Sequence, residues 1–246
     1  MTANIMMVTY NRLDLTKRTL NNLFDTTKYP FRLIIIDNNS TDGTKEYLKN
    51  LNPNCLSYNY HFNEQNLGIA SGRNKALLIA DQYNDQWLAT IDNDVEFPTN
   101  WLNECIEIIN ANPNFNIGVN MEDVKYPIIN QNGKTFQFKK DGNLGSACMV
   151  FHRKLHEKIG FFYGYENRYG EEDSDWGMRS RLAGYQLGYI QQPGNHFGVG
   201  DLDTGEYRKF KDECRSKNIA KFQQRCYAYM NKQIPIYVPF NELKCQ

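Results

Sequence analysis

The ten residues 87–96, WLATIDNDVE, constrain the fold of this chain more than any other stretch. The largely apolar run at 88–91 predicts a short strand buried on both faces, and it leads directly into two carboxylates, Asp92 and Asp94. In an open α/β sheet, ligands bind beyond the carboxyl ends of the strands. Two aspartates at such a strand end can hold Mg²⁺ or Mn²⁺ through oxygen atoms, or they can form an ordinary polar turn. This stretch therefore predicts a sheet whose edge carries a candidate metal site.

Strands and helices alternate along the first half of the chain. Buried strands are predicted at residues 4–9, 33–36 and 87–91, a further strand at 56–60, and helices at residues 13–24, 44–51, 71–83 and 98–109. This alternation is typical of a mostly parallel, doubly wound sheet with helices on its faces. Because polar clusters follow these strands, the sequence favours a ligand cleft over a purely structural scaffold.

The second half of the chain is less regular. Residues 130–143 are polar and contain Gly and Lys, so we predict a flexible excursion there. The remaining predicted elements are strands at 146–151 and 185–190, and helices at 153–159, after the acidic run 171–175, and over the charged segment 206–232. No repeat or linker interrupts this order, which indicates one α/β domain with a helical extension at the C-terminus.

Composition limits the partners and the compartment that we expect. The 28 Lys and Arg residues balance the 28 Asp and Glu residues, so the overall charge favours neither a nucleic acid nor a membrane as a partner. The six cysteines form no C-x-x-C pair, which suits reduced thiols. No stretch approaches the ~20 apolar residues of a membrane span. We therefore expect a cytoplasmic protein without a transmembrane segment.

The glycine-rich patterns of several enzyme classes are absent from the sequence. No G-x-G-x-x-G follows the first strand, and the chain contains neither a P-loop nor a G-x-S-x-G elbow. Dinucleotide-binding, P-loop and serine-hydrolase functions therefore lack their fingerprints. A cleft with several strand-end carboxylates and no covalent nucleophile suits metal-assisted transfer with a phosphorylated leaving group.

Seven segments between residues 4 and 200 together resemble the motif order of one enzyme family. They are Thr9-Tyr10-Asn11-Arg12, Asp37 to Gly43 (DNNSTDG), Asn66-Leu67-Gly68 with Arg73-Asn74, Asp92-Asn93-Asp94, Gly145-Ser146 with Arg153 and Gly160-Phe161, Glu172 to Trp176 (EDSDW) with Arg179, and His196. In this order they are similar to the motifs of inverting nucleotide-sugar-dependent glycosyltransferases of the GT-A fold, close to family 2. Each motif alone is weak, and their shared order carries the resemblance.

The resemblance implies a fold, a domain division and a reaction. It implies a GT-A (Rossmann-like) mostly parallel sheet flanked by helices, in a catalytic domain at 1–205. The donor half would span about 1–115, the acceptor and catalytic half about 116–205, and a basic helical extension 206–246. The implied reaction is inverting transfer of a sugar, from a nucleoside diphosphate that we expect to be UDP, to a hydroxyl acceptor, with Mn²⁺ or Mg²⁺ as cofactor.

The resemblance assigns twelve residues to the nucleotide-sugar donor. They are Thr9, Tyr10, Asn11, Arg12, Asp37, Asn39, Asn66, Gly68, Arg73, Asn74, Asp92 and Asn93. Asp37 would accept a hydrogen bond from the base, and the alternative is a turn-forming residue. Tyr10 would pack on the base, or would only pack at the strand end. Arg73 would pair with the diphosphate or a carboxylate of the site, and the alternative is a solvated helix arginine.

The metal and catalytic residues are also implied by the resemblance. Asp94 and His196 would ligate the metal, and an imidazole ligand favours Mn²⁺. Asp92 would reach the ribose, the sugar or, through water, the metal. Asp173 would be the general base, with Glu172 as its competitor. The alternative for these two acids is stabilisation by the helix N-terminus without a catalytic role. The acceptor-side residues would be Gly145, Ser146 and Trp176, although Trp176 would equally suit the core.

The C-terminal segment departs from the family pattern because it is basic. Residues 208–232 contain eight Lys and Arg residues against two acidic ones, with aromatic residues interleaved. One interpretation is a solvated helix that packs through its aromatic residues. The other is a grip on an anionic acceptor, such as a phosphorylated glycan, a lipid headgroup or modified nucleic acid. The residues of that grip would be Arg208, Lys209, Lys211, Arg215, Lys217, Lys221 and Arg225.

Two other functions stay open from the sequence. A sugar nucleotidyltransferase would have a Gly-rich phosphate loop with Arg or Lys after the first strand, and residues 9–12 do not form one. A non-catalytic nucleotide- or glycan-binding module on a GT-A-like fold would not need the acidic residues at 92, 94 and 173 or the histidine at 196. Metal-dependent hydrolysis of a nucleotide-sugar distinguishes an enzyme from a binder.

Overall fold

The computed structural model describes residues 1–122, 124–145, 147–197 and 205–240. The strands in these ranges are β1 (Ala3–Thr9), β2 (Phe31–Asp37), β3 (Ser57–Phe62), β4 (Trp87–Ile91), β5 (Val95–Glu96), β6 (Phe115–Gly118), β7 (Ile128–Gln131), β8 (Lys134–Lys139), β9 (Cys148–His152), β10 (Gln186–Tyr189) and β11 (Asn195–His196). The helices are α1 (Leu13–Thr26), α2 (Thr44–Asn50), α3 (Gly68–Asp81), α4 (Trp101–Ala111), α5 (Arg153–Ile159), α6 (Glu172–Leu182) and α7 (Glu206–Met230).

Nine strands form one central sheet in the order β3-β2-β1-β4-β9-β6-β10-β8-β7. Strands β3, β2, β1 and β4 are parallel to one another, β9 is antiparallel to β4 and β6, and β10 is parallel to β6. Strand β8 is antiparallel to β10 and β7. Seven of the nine strands in this sheet therefore share one direction, which confirms the predicted mostly parallel α/β sheet with flanking helices.

The central strands are buried on both faces, as their apolar runs predict. All seven residues of β1 and all five residues of β4 are buried. One apolar cluster includes Leu20 of α1 and Trp101 of α4, and the other includes Leu77 of α3. Gly72 lets α3 approach β1 closely, because a Cβ there would lie 2.7 Å from a methyl of Val8. Helix α3 therefore has a fixed position over the sheet.

The prediction of a flexible excursion at residues 130–143 is wrong for most of that segment. Strands β7 and β8 form a hairpin that extends the sheet at its edge. The hairpin turns at Asn132 and Gly133, which both have positive φ, at 51° and 75°, as a type I′ turn requires. Phe136 is fully buried and packs edge-to-face on Phe115. The alternation along β8 and the Asn-Gly pair are hairpin signals, and polarity outweighed them in the prediction.

The predicted C-terminal helix is present as α7, with its bounds at Glu206–Met230. It packs against α6, the helix that begins with Glu172. Among the helices that the structure describes, none combines the length and apolar character that a membrane crossing requires.

Candidate active site

The loops after β1 and β2 meet at the carboxyl edge of the sheet and hold one another in place. The backbone N–H of Asn11 donates to Ser40 Oγ at 2.7 Å, and Asn11 Oδ1 accepts from the N–H of Thr41 at 2.8 Å. Asp37 is fully buried, and its carboxylate accepts from both the N–H and the hydroxyl of Ser40. The two loops thus form one rigid wall of the cleft, with Asp37 in the turn-forming arrangement.

Three side chains of the described chain could together hold a metal ion: Asp92, Asp94 and His196. Their ligand atoms all lie within 4.8 Å of one another. Two-residue strand β11 pairs with β5 so that His196 lies opposite Val95, and the Phe197 N–H donates to the Asp94 carbonyl at 2.8 Å. This pairing joins residues that are distant in the sequence and brings His196 Nε2 to 3.4 Å from Asp94 Oδ1.

The chemistry of this group fits a divalent cation. Burial raises the pKa of Asp94, and the neighbouring Asp92 carboxylate raises it further, so a bound cation would relieve both effects. His196 Nδ1 is buried and has no hydrogen-bond partner among the described residues. Two carboxylates and an imidazole are a donor set that Mn²⁺ accepts well and that Mg²⁺ can use in part.

Arg12 faces the same carboxylate. Its Nη1 lies 2.7 Å from Asp94 Oδ2, and its backbone is left-handed at φ 63° immediately before α1. This conformation follows a left-handed Asn11 at φ 56°, so two consecutive residues turn the chain sharply after β1. The turn places a cation beside the candidate metal ligands, where it can neutralise Asp94 or contact an anionic group of a ligand.

Arg73 connects the candidate metal site to the acidic start of α6. Its Nη2 lies 3.0 Å from Asp92 Oδ1, and its Nη1 lies 2.8 Å from Glu172 Oε1. The side chain is buried, and its guanidinium lies over the ring of Phe162 at 5.5 Å. Desolvation opposes the charge on Arg73, but Asp92 and Glu172 outweigh it and leave the pKa raised. In this structure Arg73 therefore pairs with carboxylates of the site and is not the solvated helix arginine that the sequence also allowed.

The two candidate acids differ in their surroundings. Glu172 is buried, and burial together with Asp173 raises its pKa from 4.5 to about 7 despite the Arg73 contact. Its Oε2 has no hydrogen-bond partner among the described residues. Asp173 is half-buried, its pKa is also raised by burial, and its Oδ1 accepts from the Ser174 N–H at 2.7 Å. Both lie in the first turn of α6, where the helix dipole favours their charged forms.

Several residues expected to contact the donor or the acceptor make side-chain contacts within the protein. Thr9 is buried, and its Oγ1 accepts from Asn93 Nδ2 at 3.1 Å, so Asn93 points towards α1 and β1. Asn74 is fully buried and bonds both the N–H and the carbonyl of Phe162, at 2.8 and 2.9 Å. Trp176 is 1% exposed and stacks on Phe162. In this structure these side chains therefore hold neighbouring elements of the protein together beside the cleft.

Other predicted residues lie at more accessible positions. Tyr10 is 39% exposed, whereas Asn39 is half-buried and accepts from Lys45. Asn66 Oδ1 accepts from the N–H of Gly68, which has φ 81° and leaves only 2.7 Å between a would-be Cβ and the Arg168 carbonyl. Residue 68 is thus a close contact between α3 and the loop after α5.

Gly145 is one of the three residues expected on the acceptor side, and it borders open space. Gly145 is half-buried with φ 69°, and a Cβ there would meet no atom within 4 Å. Ser146 lies outside the described residues. The backbone at 145 therefore borders open space beside the site.

The basic residues of α7 do not all face outward. Arg215 pairs with Glu171, Lys221 with Glu166, and Arg225 with Asp175, while Arg208 pairs along the helix with Asp212. Lys211 lies over the Tyr169 ring at 4.9 Å. Lys209 and Lys217 are exposed, and no ion pair joins either of them to another described residue.

Glu171 and Asp175 received no role of their own from the sequence, and Arg225 was expected to bind an anionic acceptor rather than Asp175. Glu171 is the residue before α6 and has φ 70°, Asp175 is fully buried, and Arg225 binds Asp175 from α7. The spacing of Asp175 and Arg179 was the available signal, because residues four apart in a helix form ion pairs. The contact to Arg225, 50 residues away, had no local signal.

The comparison with known families and proteins agrees with this geometry. The family model of glycosyl transferase family 2 matches residues 4–160. The sequence is 26% identical over 107 residues to a protein of Bacillus subtilis (strain 168) named as a teichuronic acid biosynthesis glycosyltransferase, TuaG. That match covers 44% of this chain and 41% of TuaG.

Solved glycosyltransferase structures share the fold. S. aureus TarS 1–349 in complex with UDP has a TM-score of 0.58 and 19% identity, over 79% of this chain and 59% of that one. Mannosyltransferase PcManGT from Pyrobaculum calidifontis, in complex with GDP-Man and Mn²⁺, has a TM-score of 0.55 and 19% identity, over 78% of this chain and 54% of that one. GalNAc-T7 with UDP, GalNAc and Mn²⁺ has a TM-score of 0.56 and 18% identity, over 79% of this chain and 43% of that one. The chain thus spans less than two thirds of the length of each of these relatives. Their similarity to this chain confirms the GT-A fold that was expected from the sequence.

Proposed function

Because the chain belongs to glycosyl transferase family 2, we propose that it transfers a sugar, with inversion, from a nucleoside diphosphate to a hydroxyl acceptor in a metal-dependent reaction. The observation that carries this proposal is the connection of the Asp92, Asp94 and His196 group to Glu172 through buried Arg73. A site for a divalent cation and a site for proton transfer then lie next to each other, as such a reaction requires.

The donor is proposed to be a UDP-sugar. The TarS and GalNAc-T7 structures contain UDP, whereas PcManGT contains GDP-Man, so uridine is favoured and guanosine is the alternative. Exposed Tyr10 would pack against the base, and Asn39 and Asn66 would border the nucleotide. Asp94 and His196, with Asp92 directly or through water, would hold Mn²⁺ or Mg²⁺. When held by these residues, the cation would supply positive charge to stabilise the departing diphosphate.

Asp173 is the better candidate for the general base. Glu172 Oε1 is already engaged by Arg73, whereas Asp173 is less buried and can approach an acceptor hydroxyl. A raised pKa suits a carboxylate that must accept a proton near neutral pH. In the proposed step the acceptor oxygen forms a bond to the anomeric carbon while the bond from that carbon to the diphosphate breaks. The acceptor proton passes to Asp173, and no covalent enzyme intermediate forms.

We also propose an anionic acceptor and a cytoplasmic location. The acceptor would approach past Gly145, and exposed Lys209 and Lys217 on α7 would attract negative charge. The other basic residues of α7 contribute less to this attraction where protein carboxylates already neutralise them. The five cysteines of the described chain are free thiols, which suits a reducing compartment.

Metal-dependent hydrolysis of UDP-sugars tests the proposed function without knowledge of the acceptor, since water can replace the acceptor hydroxyl. We expect the wild type to release UDP with Mn²⁺ and not with EDTA. The Asp173→Asn variant should lose about 100-fold or more of this rate, because a positioned base contributes roughly 10²–10⁴-fold. Asp25→Asn, which changes an exposed carboxylate in the last turn of α1, is the matched control.

Two outcomes of the same assay would favour other functions. Binding of nucleotides without any release of UDP would support a non-catalytic binding module. Formation of a nucleotide-sugar from a sugar phosphate and a nucleoside triphosphate would support a nucleotidyltransferase. Equal rates for Asp173→Asn and the wild type would contradict the assignment of the base.

A further inference from the structure

Helix α7 holds the acidic start of α6 at two points. Arg215 Nε lies 3.1 Å from Glu171 Oε1, and Arg225 Nε lies 3.1 Å from Asp175 Oδ2. Glu171 precedes Glu172, and Asp175 follows Asp173 by two residues. The two candidate acids therefore lie between the two residues that α7 binds. Both α6 and α7 lie beyond residue 160, where the family match ends.

The contact at Asp175 is a buried ion network. The Asp175 carboxylate, fully buried, accepts from Arg179 Nε at 2.6 Å, Tyr229 Oη at 3.1 Å and Tyr165 Oη at 3.3 Å, besides Arg225. Arg179 also donates to the backbone carbonyls of residues 159 and 161, at 2.6 and 2.8 Å. Breaking such a buried pair by removing one partner is costly, because the remaining charge stays buried. The first turn of α6 is thus tied to α7.

The same face of α7 fixes the loop that leads into α6. Asn218 is buried, and its Nδ2 donates to the carbonyls of Asn167, Tyr169 and Gly170, at 3.1, 3.0 and 3.2 Å. A Cβ on Gly170 would lie 3.3 Å from Arg215. The Arg225 guanidinium lies 3.4 Å from the centre of the Tyr163 ring. From residue 163 to residue 175, the segment before and around the acids therefore contacts α7 repeatedly, through both backbone and side chains.

We infer that α7 is a brace for the catalytic acids, and that Arg225 and Arg215 are positioning residues for Asp173. This inference rests on the proposed function, since it concerns the same site. Among the described residues, half-buried Asp173 accepts one hydrogen bond, from the Ser174 N–H. The direction of its carboxylate therefore depends on the backbone of the first helical turn, and α7 determines where that turn lies. A displacement of about 1 Å at a reacting group can cost about 100-fold in rate.

The test compares Arg225→Gln, Arg225→Lys and Arg215→Gln with Lys232→Gln, which removes a charge from an exposed position just after α7. We expect Arg225→Gln to lower kcat for UDP-sugar hydrolysis by about 10- to 100-fold through misplacement of the base. KM for the donor should stay near the wild-type value, because the candidate donor residues lie outside α7. Arg225→Lys, which keeps the charge, should restore part of kcat, and Arg215→Gln should show a smaller loss.

A second measurement separates a brace from a general loss of folding. Amide hydrogen exchange in the segment 170–176 should be faster in Arg225→Gln, while exchange in β1 and β4 stays at the wild-type rate. The exposed Arg215 side chain can be removed without opening the core, so Arg215→Gln keeps the test meaningful if Arg225→Gln unfolds.

The outcomes distinguish the inference from the proposed function. If Arg225→Gln and Arg215→Gln both keep the wild-type kcat and the wild-type exchange rates, the inference that α7 positions the acids is overturned. A parallel fall of donor binding and kcat, with faster exchange throughout the sheet, would also overturn it. If the wild type hydrolyses no UDP-sugar, the proposed function fails, and faster exchange confined to 170–176 would still support the brace.

Discussion

At the scale of single residues, one buried arginine determines how the charges of the cleft are arranged. Arg73 lies between Asp92 and Glu172, which are 80 residues apart in the sequence, and it is shielded from water. Glu172 would be costly as a lone buried carboxylate, and the guanidinium that it shares with partly exposed Asp92 makes its burial tolerable. The remaining cost is visible at Glu172, whose pKa burial raises to about 7.

The raised pKa of Glu172 predicts a specific loss of stability with pH. Between 4.5, its ordinary value, and about 7, the folded protein keeps a proton that the unfolded chain has released. The free energy of unfolding should therefore fall as pH rises through this interval. Glu172→Gln cannot titrate, so its melting temperature should fall less over the same interval. The measurement is thermal unfolding at closely spaced pH values.

The control for this prediction is Glu157→Gln, which changes an exposed carboxylate on α5. It should retain the wild-type dependence of melting temperature on pH. If Glu172→Gln and the wild type lose stability in parallel through the interval, the burial of a protonated Glu172 in the folded protein is ruled out.

At the scale of elements, the basic residues of α7 fall into two groups, one that contacts the protein and one that is exposed to solvent. Its inner face contacts the loop and helix that carry the acids, through Arg215, Asn218 and Arg225. Its outer face presents Lys209 and Lys217 to solvent. The sequence counts both kinds equally as positive charge, and only the packing of α7 on α6 separates them.

The outer face gives a prediction for acceptor binding. With the acceptor identified by a transfer screen, Lys209→Glu together with Lys217→Glu should raise its KM and weaken the dependence of KM on NaCl concentration. Exposed charges act over roughly a Debye length of ~8–10 Å, so added salt should mimic the substitution in part. Lys232→Glu is the matched control. Unchanged KM and salt dependence in the double variant would argue for an uncharged acceptor or another route.

At the scale of the whole molecule, the parallel half of the sheet and strands β9 and β10 could be predicted, whereas β6, the β7–β8 hairpin and the β5–β11 pair could not. Apolar runs indicated β1, β2 and β4, and parallel strands end at one edge, so the polar clusters at Asp37 and Asp92 were expected at the same edge of the sheet. His196 reaches Asp94 only because β11 pairs with β5. The Arg73–Glu172 pair spans 99 residues, and the contact of Arg12 with Asp94 spans 82. Such pairings depend on packing that no local pattern specifies.

The same limit applies to residues whose type suits two roles. Asn74 and Trp176 match the family motifs, and the structure uses both in packing around Phe162. An asparagine that bonds two backbone groups and one that bonds a ligand look identical in a sequence. The motif order identified the enzyme family, whereas burial and hydrogen-bond partners decide which motif residues face the cleft.

Thermal unfolding most directly tests the metal-dependent nucleotide-sugar site that we propose at Asp92, Asp94 and His196. The wild type and Asp94→Ala are compared with UDP, GDP, dTDP, CDP and ADP, each with Mn²⁺ or with EDTA. At about 100 times Kd, a ligand that binds only the folded protein stabilises it by about 2.7 kcal/mol. For a chain of this size that is a rise of roughly 5–10 °C in melting temperature.

We predict that UDP with Mn²⁺ raises the melting temperature of the wild type, that EDTA abolishes the rise, and that Asp94→Ala shows none. A metal-dependent rise with a different nucleotide would support the proposed site and would show that the donor base is not uracil. If no nucleotide shifts the wild type in the presence of Mn²⁺, or if Asp94→Ala responds as the wild type does, the proposed site is contradicted.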